Sequence, residues 1–140
     1  MRKLFFGPRS QKGAAVVEFA LVAFLLFVVI VAMAEFSRAW MILGVANGAA
    51  RVGARYAAIL PDVENNLPSV TAKVKEALNA SQIPDGDIHV DVDLGGGSPS
   101  LGDPITVNVI IDFHTSFGNL FPKLDELPLR ASCSMRRETI

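Results

Sequence analysis

Between Ala14 and Ala34 the chain holds 21 consecutive residues of which only one, Glu18, is polar. A helix needs about 20 such residues to cross the hydrocarbon core of a bilayer. No comparable run occurs beyond Leu60. Apolar residues make up 51% of the 140-residue chain, high for a water-soluble protein, and the excess is concentrated in this one stretch. The fold must therefore accommodate a single apolar helix near its N-terminus.

Charge is distributed as unevenly as hydropathy. The first thirteen residues carry Arg2, Lys3, Arg9 and Lys12 and no acid, a side-chain charge of +4, whereas the whole chain is −1, which leaves −5 beyond them. Basic residues flanking a span stay on the cytoplasmic side. The expected orientation is N-terminus inside, with the remaining chain outside. An acidic exterior argues against nucleic acid as a partner. Cys133 is the only cysteine, so an outer domain must fold by packing without an intramolecular disulfide.

Three kinds of N-terminal segment fit these features. A cleaved secretory signal has a basic start, and Ala32-Met33-Ala34 offers an A-x-A site, but its apolar region is usually only about 7–15 residues long. A plain uncleaved anchor is the second. The third is a prepilin-type leader. In Gly13-Ala14-Ala15-Val16-Val17-Glu18-Phe19 a basic segment ends in glycine, small apolar residues come next, and a lone glutamate precedes the long apolar run. Cleavage after Gly13 would make Ala14 the new N-terminus and Glu18 its fifth residue. A carboxylate inside an apolar span is costly without a partner. The new α-ammonium of a neighbouring, axially staggered copy would suit it, and such a pair would set assembly register. Alternatively, Glu18 lies near enough to the helix end to reach the interface.

The run Gly13-Ala14-Ala15-Val16-Val17-Glu18-Phe19-Ala20-Leu21 resembles the processing region of the TadE-like pilins of the tight-adherence (Flp) type IV pilus system. Glu35-Phe36-Ser37-Arg38 and the small-residue stretch with Ala49-Ala50-Arg51 and Gly53-Ala54-Arg55 are similar to the region after the span in that family. Ser132-Cys133-Ser134-Met135-Arg136-Arg137-Glu138 resembles its closing strand. The resemblance is close over residues 10–60 and loose elsewhere. It implies cleavage between Gly13 and Ala14, an assembly and register role for Glu18 and Phe19, and insertion in a bacterial inner membrane before transfer to a pilus or the cell surface. The implied partners are prepilin peptidase, membrane lipid, other pilin subunits and the inner-membrane assembly platform.

No proline interrupts the chain from Glu35 to Leu60, and Pro61 then forbids continuation. The expected helix runs from about Ala14 to Leu60, roughly 70 Å at 1.5 Å per residue. Its outer half repeats small residues four apart: Gly44 and Gly48, Ala46 and Ala50, Ala49 and Gly53, Ala50 and Ala54, Gly53 and Ala57. Such stripes let backbones approach closely. The stripe serves either helix bundling between subunits or packing under the chain's own outer domain. Arg38, Arg51 and Arg55 are expected on solvent or interface edges, with no motif assigning them chemistry.

A polar connector, Pro61 to Leu67, leads to a short helix capped near Ser69 and running to about Ala80, with Val70, Val74, Ala77 and Leu78 on one face. Pro84-Asp85-Gly86 marks a turn. Three alternating stretches come after it, with apolar faces Ile88-Val90-Val92-Leu94, Ile105-Val107-Val109-Ile111-Phe113 and Leu127-Leu129-Ala131-Cys133-Met135. The expected class is α+β: a long N-terminal transmembrane helix, then a small head of one short helix and a three-stranded antiparallel sheet. Phe117, Leu120 and Phe121 are expected to tuck under that sheet. The organisation reads as a basic cytoplasmic leader (1–13), a transmembrane segment (14–34), its extracytoplasmic continuation (35–60) and the head (61–140).

Chemistry-bearing patterns are sparse. Asp87, His89, Asp91 and Asp93 alternate onto one strand face about 7 Å apart, too far for one metal to span several of them. They lack the glycine and closing glutamate of a calcium loop. His89 and His114 could meet on adjacent strands. Cys133 falls in the inward register as a small core residue. No nucleophile elbow, phosphate loop or paired catalytic acids appear, and the glycine run at 95–97 does not open a helix. The expectation is a structural subunit, not an enzyme, without metal, cofactor or small-molecule substrate. A head of roughly eighty residues points to a minor pilin or pseudopilin rather than a major one. The rival is a membrane-anchored or secreted extracytoplasmic binding protein.

Overall fold

The computed structural model describes residues 11–79, 83–97, 99–116 and 126–138. Helix α1 spans Gln11–Ile59 and α2 spans Leu67–Leu78. Strands β1 (Ile88–Asp93), β2 (Pro104–His114) and β3 (Glu126–Arg136) come next. The protein is α+β, with one long apolar N-terminal helix, one further helix and a three-stranded antiparallel sheet. It divides into two compact units, Met1–Phe36 and Ser37–Ile140.

The first unit is the apolar part of α1. The second is a two-layer head. Its sheet has the order β1-β2-β3, and every β1 residue from Ile88 to Asp93 is paired with β2 between Ile111 and Thr106. The long strand β2 pairs along its full length with β3, Val109 opposite Ala131. Period-two alternation sends Ile105, Val107, Val109, Ile111 and Phe113 to the buried face. Against that face lie Val70, Val74 and Leu78 of α2, Val63 of the connector, and Ala46, Ala49, Ala50, Ala54 and Ala57 of α1, all within one apolar cluster.

α2 begins two residues before the expected cap at Ser69, with Pro68 in its first turn. Proline is tolerated there because its missing N–H would have no intrahelical partner. The Ser69 and Val70 amides donate to the Asn66 carbonyl, and the Asn66 side-chain amide donates to the Asp62 carbonyl at 2.8 Å. Asn66 therefore occupies the cap position, although its side chain does not cap the helix. Ala80, Phe117, Leu120 and Phe121 lie outside the described residues.

Pro61 stops α1 as expected, and a long-range clasp secures that end. The Arg137 guanidinium donates to the carbonyls of Pro61, at 2.6 Å, and Pro99. The Glu138 amide donates to Ala58 O at 2.9 Å, so the chain leaving β3 is tied to the last turn of α1. Gly102, at φ +88°, supplies the left-handed turn before β2 and donates its amide to Arg137 O.

Candidate membrane span and assembly surface

The span is built from side chains that find no cover in the protein. From Gly13 to Ala34 the described side chains are exposed, apart from a partly covered Val31 position. Phe19 is 75% exposed and Phe24 68%, and large apolar groups occur all round the helix rather than along one stripe. A helix apolar on every side belongs in an apolar medium, and this one is long and apolar enough to cross a membrane. Glu18 is exposed four residues after Ala14. Gly13 lies in the first turn of α1 with open space where a Cβ would be.

The small-residue stripe divides between two surfaces. Ala49, Gly53 and Ala57 are buried in the head, together with Ala46, Ala50 and Ala54. Gly53 marks the tightest approach: a Cβ there would lie 2.4 Å from Val74 Cγ2 and 3.3 Å from Val107 Cγ1. The backbone of α1 thus passes directly over α2 and β2. Gly44 and Gly48 face the other way, exposed, with nothing within 4 Å of a built Cβ. Beside them stand Met41, Val52, Arg51 and Arg55, all exposed.

Arg38 has a role that no local motif signals. Its guanidinium donates to Ser116 Oγ at 2.9 Å and to the His114 carbonyl, and lies 4.7 Å from the centroid of the Phe113 ring. It therefore holds the end of β2 to the start of the head. The partners of Arg38 and Arg137 lie 76–78 residues from them in sequence for three of these bonds. Only the paired signal of an arginine near a helix and carbonyls at a strand end could have indicated them, and sequence spacing does not carry it.

The two histidines do not meet each other. His114 Nε2 lies 3.7 Å from Asp87 Oδ2 in the turn before β1, and His89 Nε2 lies 3.2 Å from Asp112 Oδ2 across the β1–β2 ladder on the open sheet face. Asp91 and Asp93 share that face. Among the described residues no group of three or more His, Cys, Asp or Glu is placed to hold a metal ion. A shallow depression of about 390 Å³ on this face is lined by Asp91, Asn108, Ile110, Arg130 and Ser132. Cys133 is half-buried against the core.

The family model of the TadE-like protein matches residues 13–55. This stretch of the chain is TadE-like. The TadE-like segment begins at Gly13 and ends at Arg55. It contains Gly13, Ala14, Glu18, Phe19, Gly44, Gly48, Ala49 and Gly53, while Ala57 lies just beyond it. The match covers 43 of the 140 residues, and the TadE-like family points to tight-adherence pilus systems. No curated protein and no solved structure matches the chain.

Proposed function

We propose that the chain is a structural minor pilin or pseudopilin of a bacterial tight-adherence pilus, without enzymatic activity. The observation carrying this reading is the TadE-like segment itself, which joins the Gly13–Ala14 motif, the lone Glu18 and the apolar helix in one match. The chain enters the inner membrane with its +4 N-terminus in the cytoplasm and its head outside. Prepilin peptidase cuts after Gly13. Glycine is a poor helix former, so the first turn of α1 unwinds at that position at little cost. The freed Ala14 ammonium of one subunit then pairs with Glu18 of a neighbour, and Phe19 packs beside it. The helix leaves the lipid for the assembly, where other apolar helices replace the acyl chains around Phe19 and Phe24. The assembly platform and the other pilins are its partners.

Intact-mass measurement of protein extracted from membranes tests this directly. Co-expression with the peptidase should remove Met1–Gly13. A chain that stays full length refutes the pilin reading, and cleavage after Ala34 would favour a secreted protein instead.

A further inference from the structure

The head carries two charged ridges of opposite sign on its two opposite faces, and neither has a charged partner among the described residues. Arg51 and Arg55 are exposed on α1, on the side away from the buried Ala50, Gly53 and Ala54. Asp91 and Asp93 are exposed on β1, on the side away from Val90 and Val92, which pack toward the core. Two other acids are engaged: Asp87 and Asp112 each face a histidine. Asp91 receives the Asn108 amide at 3.5 Å and shares a shallow depression with Arg130 of β3, and Asp93 accepts the Gly95 amide at 2.9 Å.

The spacing of the two ridges also matches. Four residues along a helix advance about 6 Å. Two residues along a strand advance about 6.6 Å. Arg51 and Arg55 thus present two cations at nearly the same pitch as the two carboxylates of Asp91 and Asp93. The helix side is low as well as basic, because Gly44 and Gly48 leave open space above the backbone. A polar strand can come close to it.

We infer that the outward face of α1 in one copy docks on the open β1 face of a second copy, with Arg51 and Arg55 against Asp91 and Asp93. The two patches differ and lie on opposite sides of the head, so the contact is head-to-tail. A contact of that kind closes into a ring or continues as an open helical filament. The inference deepens the proposed assembly role and rests on it.

The test uses the full chain in a zwitterionic detergent at low ionic strength, followed by sedimentation velocity. Self-association of the wild type should weaken as salt is added. Variant Arg51→Glu/Arg55→Glu and variant Asp91→Lys/Asp93→Lys should each associate at least about tenfold more weakly than the wild type. An equimolar mixture of the two should recover association, because each then offers the other a complementary ridge. Thermal unfolding checks that both variants fold. If loss of the Asp93 turn contact lowers stability, Asp91→Lys alone replaces the second variant. The inference is overturned by a wild type that does not self-associate, by a variant that associates like the wild type, or by folded variants that stay apart when mixed. Charge-insensitive association through the apolar helix also overturns it but leaves the pilin reading standing. That reading fails by a different measurement, the absence of cleavage after Gly13.

Discussion

Replacing Gly53 with alanine adds one methyl group at the point where α1 crosses the other elements of the head. That methyl would sit 2.4 Å from Val74 Cγ2 and 3.3 Å from Val107 Cγ1, whereas carbon atoms in contact prefer about 3.5–4.0 Å. Val74 must retreat by roughly 1 Å. It is fully buried, and a β-branched side chain in a helix has one favoured χ1, so rotation gives no relief. The helix α2 must move instead. Overpacking of this kind costs about 1–3 kcal/mol. Alanine returns about 0.5–1 kcal/mol of helix propensity relative to glycine. The net loss is about 0–2.5 kcal/mol, or up to several degrees in Tm for a domain of this size. Gly48→Ala is the matched control: the same helix and the same methyl, but nothing within 4 Å. It should raise Tm by a few degrees. The assay is thermal unfolding of the full chain in detergent, read from the near-ultraviolet signal of Tyr56, which packs against the core. Hydrogen exchange over residues 104–114 reports on β2. In a Val74→Ala background the cost of Gly53→Ala should fall, because the obstructing methyl is gone. If Gly53→Ala proves as stable as Gly48→Ala, α1 does not cross α2 and β2 at Gly53.

Leu78→Ala removes a fully buried side chain from α2 and should cost about 2–5 kcal/mol, while Ile59→Ala, at a position 50% exposed, should cost far less in the same denaturation series. Arg137→Ala unties the carbonyls of Pro61 and Pro99; a loss of about 1–2 kcal/mol is expected, with faster hydrogen exchange over residues 60–66. Arg137→Lys should restore only part of it, since an ammonium cannot reproduce the two-pronged guanidinium; full rescue would refute the clasp. Arg38→Ala should loosen residues 111–116 in exchange experiments and leave α2 unaffected. Glu18→Ala should insert in membranes normally yet fail to assemble; unchanged assembly would refute the proposed charge pair.

Much of the architecture was legible because it depends on short-range rules. Alternation at Ile105, Val107, Val109, Ile111 and Phe113 specified both β2 and its buried face, since a pleated strand can bury only every second side chain. The TadE-like segment was likewise readable from Gly13, Glu18 and the residues between. The start of α2 was less so, because Pro68 is compatible with a first turn as well as with the connector before it.

Ala14 to Ala34 by itself determined that this protein has one helix that cannot be satisfied by water, and Pro61 determined that the helix extends no further, because hydropathy and a missing N–H act residue by residue. Only the tertiary structure decided which glycines of the small-residue stripe are covered: Gly53 lies against Val74 and Val107, whereas Gly44 and Gly48 stay open. The same holds for Arg38 and Arg137, whose partners lie far along the chain. Small residues permit close approach equally on every face of a helix, and an arginine can donate to any carbonyl in reach. Which face and which carbonyl are chosen depends on where the sheet packs.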